Sequence, residues 1–525
     1  MSASKRSATM ALVAAFLGWM FDGFEMGLFP LIGKPALMDL LPKATELERT
    51  TWFTVIIAVF LVGAATGGVL FGWLGDKLGR VKAMTLAIFT YAVFTGCLAF
   101  VTDAWQLAAL RFIASLGMGG EWSLGVALVN ELWAGRNRAW IAGMIGAASN
   151  IGFMLVGVLS LTLNSFLNEA TQTLQSIGLS QGVADYLLHN RAWRLLSISG
   201  ALPALINFFI LIFVHESHQW QEEKKTGHTS NWVPGDLIGV LIAAIASLAI
   251  IYVWSPMFSE LPFAVGTWGA IRVGTYVAWG VTIVGLVVAL IGYLHPVRRY
   301  MVRALASGSM DAKHRVSVNR NLLLGAALAG IALLGTWGSA QQAPRWAASL
   351  VENMATSAHP YPILDYTQIA TAIGAIIVTL ITPFVADKLG RRLTYSLLCF
   401  LAYAASIAFF KGNHLFSSEA VPRWFFVSAF LIGGLTASFY GFFPLYFPEL
   451  FPTSVRATGQ GFCFNFGRLL AAIGALQLGN IVSLFPKSSL PHVTSANAYC
   501  VLSSLYVIGM VLVWFCPETK GKALE

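Results

Sequence analysis

Charge is what this chain has least of. Of its 525 residues only 11% are Asp, Glu, Lys or Arg, against 57% hydrophobic. A soluble domain carries about 25% charged residues, so this chain has too little polar surface to meet water on every side. That excludes an ordinary soluble protein and leaves a multi-span membrane protein with lipid as its outer solvent. Acids are scarcer than bases, 24 against 33. The resulting charge of +9 reads as the inside-positive bias of membrane proteins and not as a nucleic-acid surface. Cysteines number five. Cys97, Cys399, Cys463, Cys500 and Cys516 lie in or at the end of apolar runs without a CxxC pair, so they are packing residues and no metal or redox site is expected. A nucleotide loop and a catalytic triad are also missing: Gly117, Gly119 and Gly120 follow no strand and instead allow close helix packing. The chain is not read as an enzyme, and no cofactor is expected.

Long apolar runs are what it has in abundance. They lie near 9–32, 52–74, 82–101, 104–130, 139–163, 192–214, 236–256, 272–294, 321–341, 366–386, 393–410, 424–447, 457–484 and 497–516. Most are about 20 residues long and none alternates strictly, so they are helices and not barrel strands. The first run lacks a small-residue cleavage site and is expected to be a retained span. With the N-terminus inside and fourteen spans alternating, twenty-one of the 33 Lys and Arg fall on the inner side and nine on the outer. That bias favours N-in, C-in. The long segments 165–190 and 342–365 become outer loops, the first with helical periodicity that suits a surface helix. The segment 296–320 becomes a basic inner linker.

Two signs point to internal duplication. The string DKLGR occurs at 76–80 and again at 387–391, each time between apolar runs. Glu131 precedes Arg138 by seven residues, as Glu449 precedes Arg456, each pair at the inner end of the fourth span of a six-span half. The expected organisation is a six-helix bundle at 1–215, a linker at 216–320 with two additional spans, and a second six-helix bundle at 321–525: an all-α membrane protein of two pseudo-symmetric halves.

GWLGDKLGR at 72–80 resembles the loop signature between the second and third helices of the major facilitator superfamily. LRFIASLGMGGEW at 110–122 resembles that family's fourth-helix motif, and PELFPTSVRATGQG at 448–461 resembles the segment after the tenth helix in branches that carry sugars and organic acids. GWMFDGFEMG at 18–27 is similar to the first-helix signature of proton symporters for aromatic and sialic acids, with Glu25 where the family often has Asp. The two extra helices resemble the fourteen-helix sialate:proton branch. The resemblance implies a secondary transporter with alternating access.

The DKLGR loops then read as gates on the inner face. Asp76 can accept from the N-terminal amides of a neighbouring helix, while Lys77 and Arg80 can pair with carboxylates or lipid phosphates. Asp387, Lys388 and Arg391 would act symmetrically, with Glu131/Arg138 and Glu449/Arg456 as two more pairs. The competing reading is plain positive-inside anchoring.

Ionisable groups inside spans are functional candidates by default. Asp22 and Glu25 stand at i and i+3 on one helix face, about 20 Å from its inner end. Two carboxylates so close in a poor dielectric favour keeping a proton, which suits proton coupling. The bland alternative is a neutralised pair in a packed interface. Glu121 and Arg111 are ten residues apart on the fourth helix and need partners elsewhere, with the first helix the obvious source for Arg111. Arg468 lies about 18 Å into its helix and can grip a substrate carboxylate bidentately, or else pair structurally with an internal acid. Asn465, Gln341, Gln342, Trp337, Tyr440 and Asn150 are candidate substrate contacts, each with an ordinary packing role as the alternative. The two glutamines resemble the pair of sugar porters.

The expected function is proton symport of a small organic anion, such as a monocarboxylate, an aromatic acid or a sialic acid. The expected setting is the plasma membrane, as a bacterial inner membrane, with substrate, protons and lipid as partners, no nucleic acid, and a monomeric working unit. Two rivals stand beside it: a neutral sugar:proton symporter, and a ligand-binding membrane sensor on a transporter scaffold.

Overall fold

The computed structural model describes residues 3–133, 138–202, 210, 213–259, 261, 267–268, 271–308, 311–352, 363–413, 421–486 and 491–522. The first helices are α1 (Ala3–Leu40), α2 (Glu46–Leu78), α3 (Arg80–Cys97), α4 (Ala104–Leu132), α5 (Arg138–Ser176) and α6 (Gln181–Ser199). A short α7 (His218–Lys225) leads to an inserted pair, α8 (Leu237–Val253) and α9 (Val273–Ala306). Then come α10 (Ala312–Gly338), α11 (Ala343–Glu352), α12 (Ile363–Leu389), α13 (Arg391–Gly412), α14 (Arg423–Ala437), α15 (Phe439–Tyr446), α16 (Arg456–Ser483), α17 (Pro491–Ser503) and α18 (Leu505–Leu512). Between α8 and α9 a two-residue antiparallel ladder pairs Thr267 with Arg272 and Trp268 with Ile271.

Among the described residues thirteen helical spans are long and apolar enough to cross a membrane. The sixth expected run, 192–214, lies largely outside the described residues. The expected loop at 165–190 is helical for most of its length: α5 continues to Ser176, and α6 begins at Gln181 and turns at Asn190, Arg191 and Ala192, which take positive φ. The amphipathic pattern there extends the fifth helix and starts the sixth.

Local chemistry sets the breaks. Thr45 and Glu48 form a reciprocal capping box that starts α2. Gly79 and Gly390 take φ of 113° and 92°, a region that disfavours any side chain, and there α2 turns into α3 and α12 into α13. Across the seam between the first and second sets of helices, α2 lies against α16. A Cβ at Gly72 would come within 2.8 Å of Ala457 O and Thr458 Cα, so glycine is what lets these backbones touch.

The inserted pair leans on α2, where the Tyr293 and Thr66 hydroxyls share a 2.7 Å hydrogen bond. Its other face carries Ile238, Leu241, Ile283 and Val284, each about 60% exposed, a stripe suited to lipid. None of its residues lines the central cavity described next.

Candidate functional site

Both DKLGR loops lie at the same end of the helices as the α1 N-terminus, which Trp133 of α4 ties down through Ala8 O at 2.8 Å. That end is closed across the seam. Asp76 Oδ2 accepts from the Thr458 backbone N–H at 2.8 Å and from its hydroxyl at 2.5 Å, while Oδ1 accepts from Ala457 N–H at 3.3 Å and Arg80 at 2.7 Å. Asp76 thus caps the N-terminus of α16, where the unsatisfied amides and the helix dipole favour an anion.

The two Glu/Arg pairs are crossed. Glu131 does not meet Arg138; it pairs with Arg456 at 3.2 Å and with Arg80 at 3.1 Å. Glu449 pairs with Arg138 at 3.2 Å and with Arg391 at 2.8 Å. Seven residues of separation put each glutamate and its downstream arginine on different helices, and the pseudo-twofold brings the other half's arginine nearer. Each glutamate therefore holds one arginine of its own half and one of the other.

The second loop departs from the expected symmetry. Among the described residues Asp387 meets only Arg391, at 2.9 Å, and its side chain stays 45% exposed. Lys77 and Lys388 form no ion pair there. Lys77 lies over the Trp73 ring at 4.8 Å, and the carbonyl of Lys388 accepts from Lys520.

Two residues escaped the sequence reading. Glu216 accepts from the Arg80 and Val81 amides at 3.0 and 3.1 Å, and Glu518 accepts from the Arg391 and Arg392 amides at the same two distances. Each caps the helix that follows a DKLGR loop. Burial pushes the Glu216 carboxyl up from its usual range, whereas backbone hydrogen bonds hold Glu518 below it. The signal was present as Glu216-Ser217 and Glu518-Thr519, an acid followed by a hydroxyl after the sixth run of each half.

At the other end a cavity of about 650 Å³ opens between the two sets of helices. Exposed Lys34, Thr50, Arg191 and Arg345 surround its mouth, and Asn150, Gln341 and Tyr440 line it deeper down. Arg345 of α11 stacks over Phe53 of α2 at 4.6 Å, bridging the seam. Of the expected substrate contacts, Gln341, Tyr440 and Asn150 line this cavity. Trp337 stands behind Tyr440 and does not line the cavity. Gln342 turns back to Trp337 O at 3.3 Å. Asn465 is spent on the seam: its amide donates to Gly119 O and Gly461 O, both at 3.0 Å.

Arg468 is buried and does not line the cavity wall. It lies over Phe464, whose ring meets that of the cavity-lining Tyr440 at 6.2 Å, and also over Trp19 of α1, so it stands between the cavity floor and α1, where its charge reaches Asp22. Its Nη1 donates to Asn465 Oδ1 at 2.9 Å, and its guanidinium lies 5.2 Å from the Phe464 ring and 5.9 Å from Trp19. Phe464 stacks on Trp122 at 4.0 Å, so aromatic rings from α1, α4 and α16 fill the space around Arg468.

The i, i+3 carboxylates of α1 go to different partners. Glu25 forms an ion pair with Arg111, whose guanidinium is flanked by Phe29 and Phe60 at 4.4 and 4.5 Å. Asp22 faces Glu121 of α4, within hydrogen-bonding reach. Gly18 makes room for the Glu121 carboxylate, which a Cβ there would strike.

A closed end with crossed ion pairs, an open cavity at the opposite end, and buried charges between them define a membrane transporter of the major facilitator superfamily and not an enzyme. The chain belongs to the family described as "Sugar (and other) transporter", which it matches over residues 9–233 and 350–525. It is 24% identical over 516 residues to a probable 4-methylmuconolactone transporter of Cupriavidus pinatubonensis, covering 98% of this chain and 91% of that one. It is 23% identical over 475 residues to a cis,cis-muconate transport protein of Acinetobacter baylyi, covering 90% and 87%. The fold is that of the proton:xylose symporter XylE, with a TM-score of 0.64 at 16% identity over 99% of this chain and 98% of that one.

Proposed function

We propose that this protein is a proton-coupled symporter of a small organic anion, working by alternating access between the bundles 1–215 and 321–525, with 216–320 as an inserted linker. The carrying observation is the position of Arg468. It stands between an open cavity and the Asp22 carboxylate, and a guanidinium with five donors, only one engaged among the described residues, suits a carboxylate ligand. The names of relatives that carry muconate and methylmuconolactone support an organic acid.

In this reading the DKLGR end is cytoplasmic, both termini are inside, fourteen helices span a bacterial inner membrane, and the structure is open to the outside. An anion enters past Lys34 and Arg345, meets Tyr440, Gln341 and Asn150, and reaches Arg468. Asp22 and Glu121 carry the proton, Glu25 and Arg111 hold the neighbouring charge, and the crossed pairs open to release cargo inside. The working unit is a monomer.

A neutral sugar is the second reading, favoured by Gln341 in the cavity. The test is uptake into proteoliposomes under an inward proton gradient of lactate, 4-hydroxybenzoate, cis,cis-muconate, a sialic acid and glucose. Accumulation of an acid that an uncoupler abolishes is expected. Accumulation of glucose alone sinks the anion reading.

A further inference from the structure

Five ionisable groups share one buried region inside the first bundle and at its seam. Asp22 and Glu25 come from α1, Arg111 and Glu121 from α4, and Arg468 from α16 across the seam. All five are at most 3% exposed. Tyr91 of α3 is fully buried and faces the three carboxylates, with its hydroxyl unpartnered among the described residues. Both oxygens of Asp22 and both of Glu121 also lack any donor there.

Three carboxylates against two guanidiniums leave one negative charge uncompensated. A net charge in a buried, membrane-level site is costly, and such sites neutralise by binding a counter-ion or a proton. The geometry says where. Glu25 has Arg111 and Arg468 acts on Asp22 without a hydrogen bond to it, so the excess falls on the Asp22–Glu121 pair, whose carboxyls reach only each other among the described residues. Two carboxyls in mutual reach with no other donor are satisfied when one proton lies between them.

We infer that the Asp22–Glu121 pair holds one proton when the site is empty and takes a second when an anion occupies Arg468, so that a monoanion crosses with one proton and no net charge. The inference rests on the proposed anion:proton symport and fixes its charge balance. Without substrate, Arg468 offsets Asp22. When a carboxylate takes Arg468, that offset is withdrawn, and a proton from the cavity-side solution binds the remaining ionised oxygen of the pair. Release of the anion on the far side frees Arg468, and the same proton leaves. No bond other than O–H forms or breaks. A dicarboxylate exceeds what the pair can balance, so it is carried in its singly protonated form.

The first test needs no substrate. In D₂O at neutral pH, infrared spectra should contain a protonated-carboxyl C=O band that disappears in Asp22→Asn and also in Glu121→Gln. Either change alone brings the cluster to neutrality without a proton. Glu25→Gln, made beside Arg111→Gln to keep the charge count, should leave the band in place. A wild type without such a band, or one unchanged in both single variants, overturns the inference.

The second test is 4-hydroxybenzoate accumulation in proteoliposomes at fixed pH gradient, with a membrane potential clamped by potassium and valinomycin. The expected accumulation ratio changes less than about twofold per 100 mV. One net charge per cycle would shift it about 50-fold, from 2.3 kcal/mol per charge. Proton-driven uptake with that shift overturns the charge balance alone. Absence of proton-driven uptake of any acid overturns the proposed function and this inference with it. Accumulation driven by a sodium gradient at equal pH assigns the balancing ion to sodium and also overturns it.

Discussion

In the proposed reading Arg468 is the residue on which anion selectivity turns. Truncating a buried charge that grips a ligand costs about 2–5 kcal/mol, so Arg468→Ala should lower the uptake efficiency of an accumulated acid by about 30-fold or more. Arg468→Lys keeps the charge but loses the bidentate fork and should fall between. Uptake kinetics in proteoliposomes check both, and an Arg468→Ala variant that moves the acid at the wild-type rate removes the residue from the substrate path. The buried charges were legible because an arginine or a carboxylate in an apolar run is conspicuous. Their partners were legible only in part: the first helix was expected to supply the partner of Arg111 and does so with Glu25, but the facing of Asp22 and Glu121 was not foreseen. Adjacency on α1 suggested Asp22 with Glu25, but α4 offers each a separate partner, and helix rotation decides which face meets which neighbour. Asn465 shows the same limit: its spacing from Arg468 was right for a shared site, yet its amide serves the α4 backbone.

At the scale of elements, the proposed cycle puts the control at the helix ends. Arg456 is fully buried against Glu131, while the Arg138 side chain is 13% exposed beside Glu449. Removing one partner of a buried pair is strongly destabilising, whereas exposed pairs contribute little. Arg456→Ala should therefore shift the protein away from the state closed at the DKLGR end more than Arg138→Ala does. Thiol labelling of a cysteine placed at Gln341 reports this as slower reaction from the mouth side; equal labelling in both variants speaks against it. The two glutamate caps should respond oppositely to pH. The Glu518 carboxyl is held low, so its stabilisation is present above the usual Glu value of about 4.3 and fades as pH falls through the lower folded value. Glu518→Gln should then lower the melting temperature at pH 7 and lose that effect in acid. The Glu216 carboxyl is pushed up, so its charged form opposes folding at neutral pH and protonation relieves this. Glu216→Gln should be neutral or stabilising at pH 7, with the difference vanishing on acidification. Melting curves across pH decide both. The duplication was readable in DKLGR and in the Glu/Arg spacing, but the crossing of those pairs was not, because spacing along one half says nothing about which half supplies the partner.

For the molecule as a whole, the cavity mouth carries Lys34, Arg191 and Arg345, with Asp365 among the lining residues. A cleft of one sign raises the local concentration of opposite charge, and salt screens the effect with a Debye length of about 8 Å at physiological strength. Uptake of an anion at low concentration should fall as ionic strength rises, and Arg345→Gln should flatten that dependence without removing transport. An unchanged salt slope in the variant places the steering elsewhere. The two-bundle architecture was visible from run lengths and repeats, while the direction of the open end belongs to packing across the seam and left no mark in the sequence. The crossed glutamates carry one more consequence. When the closed end parts, Arg456 and Arg138 leave, yet Glu131 still has Arg80 and Glu449 still has Arg391. Parting therefore abandons no lone carboxylate in the protein interior; it sends two guanidiniums toward water, where they are readily hydrated. In the proposed cycle the latch works as a detent, stiff enough to define a closed position and shallow enough to be crossed in both directions, so the ion and substrate gradients, and not the protein, would decide which way the cycle turns.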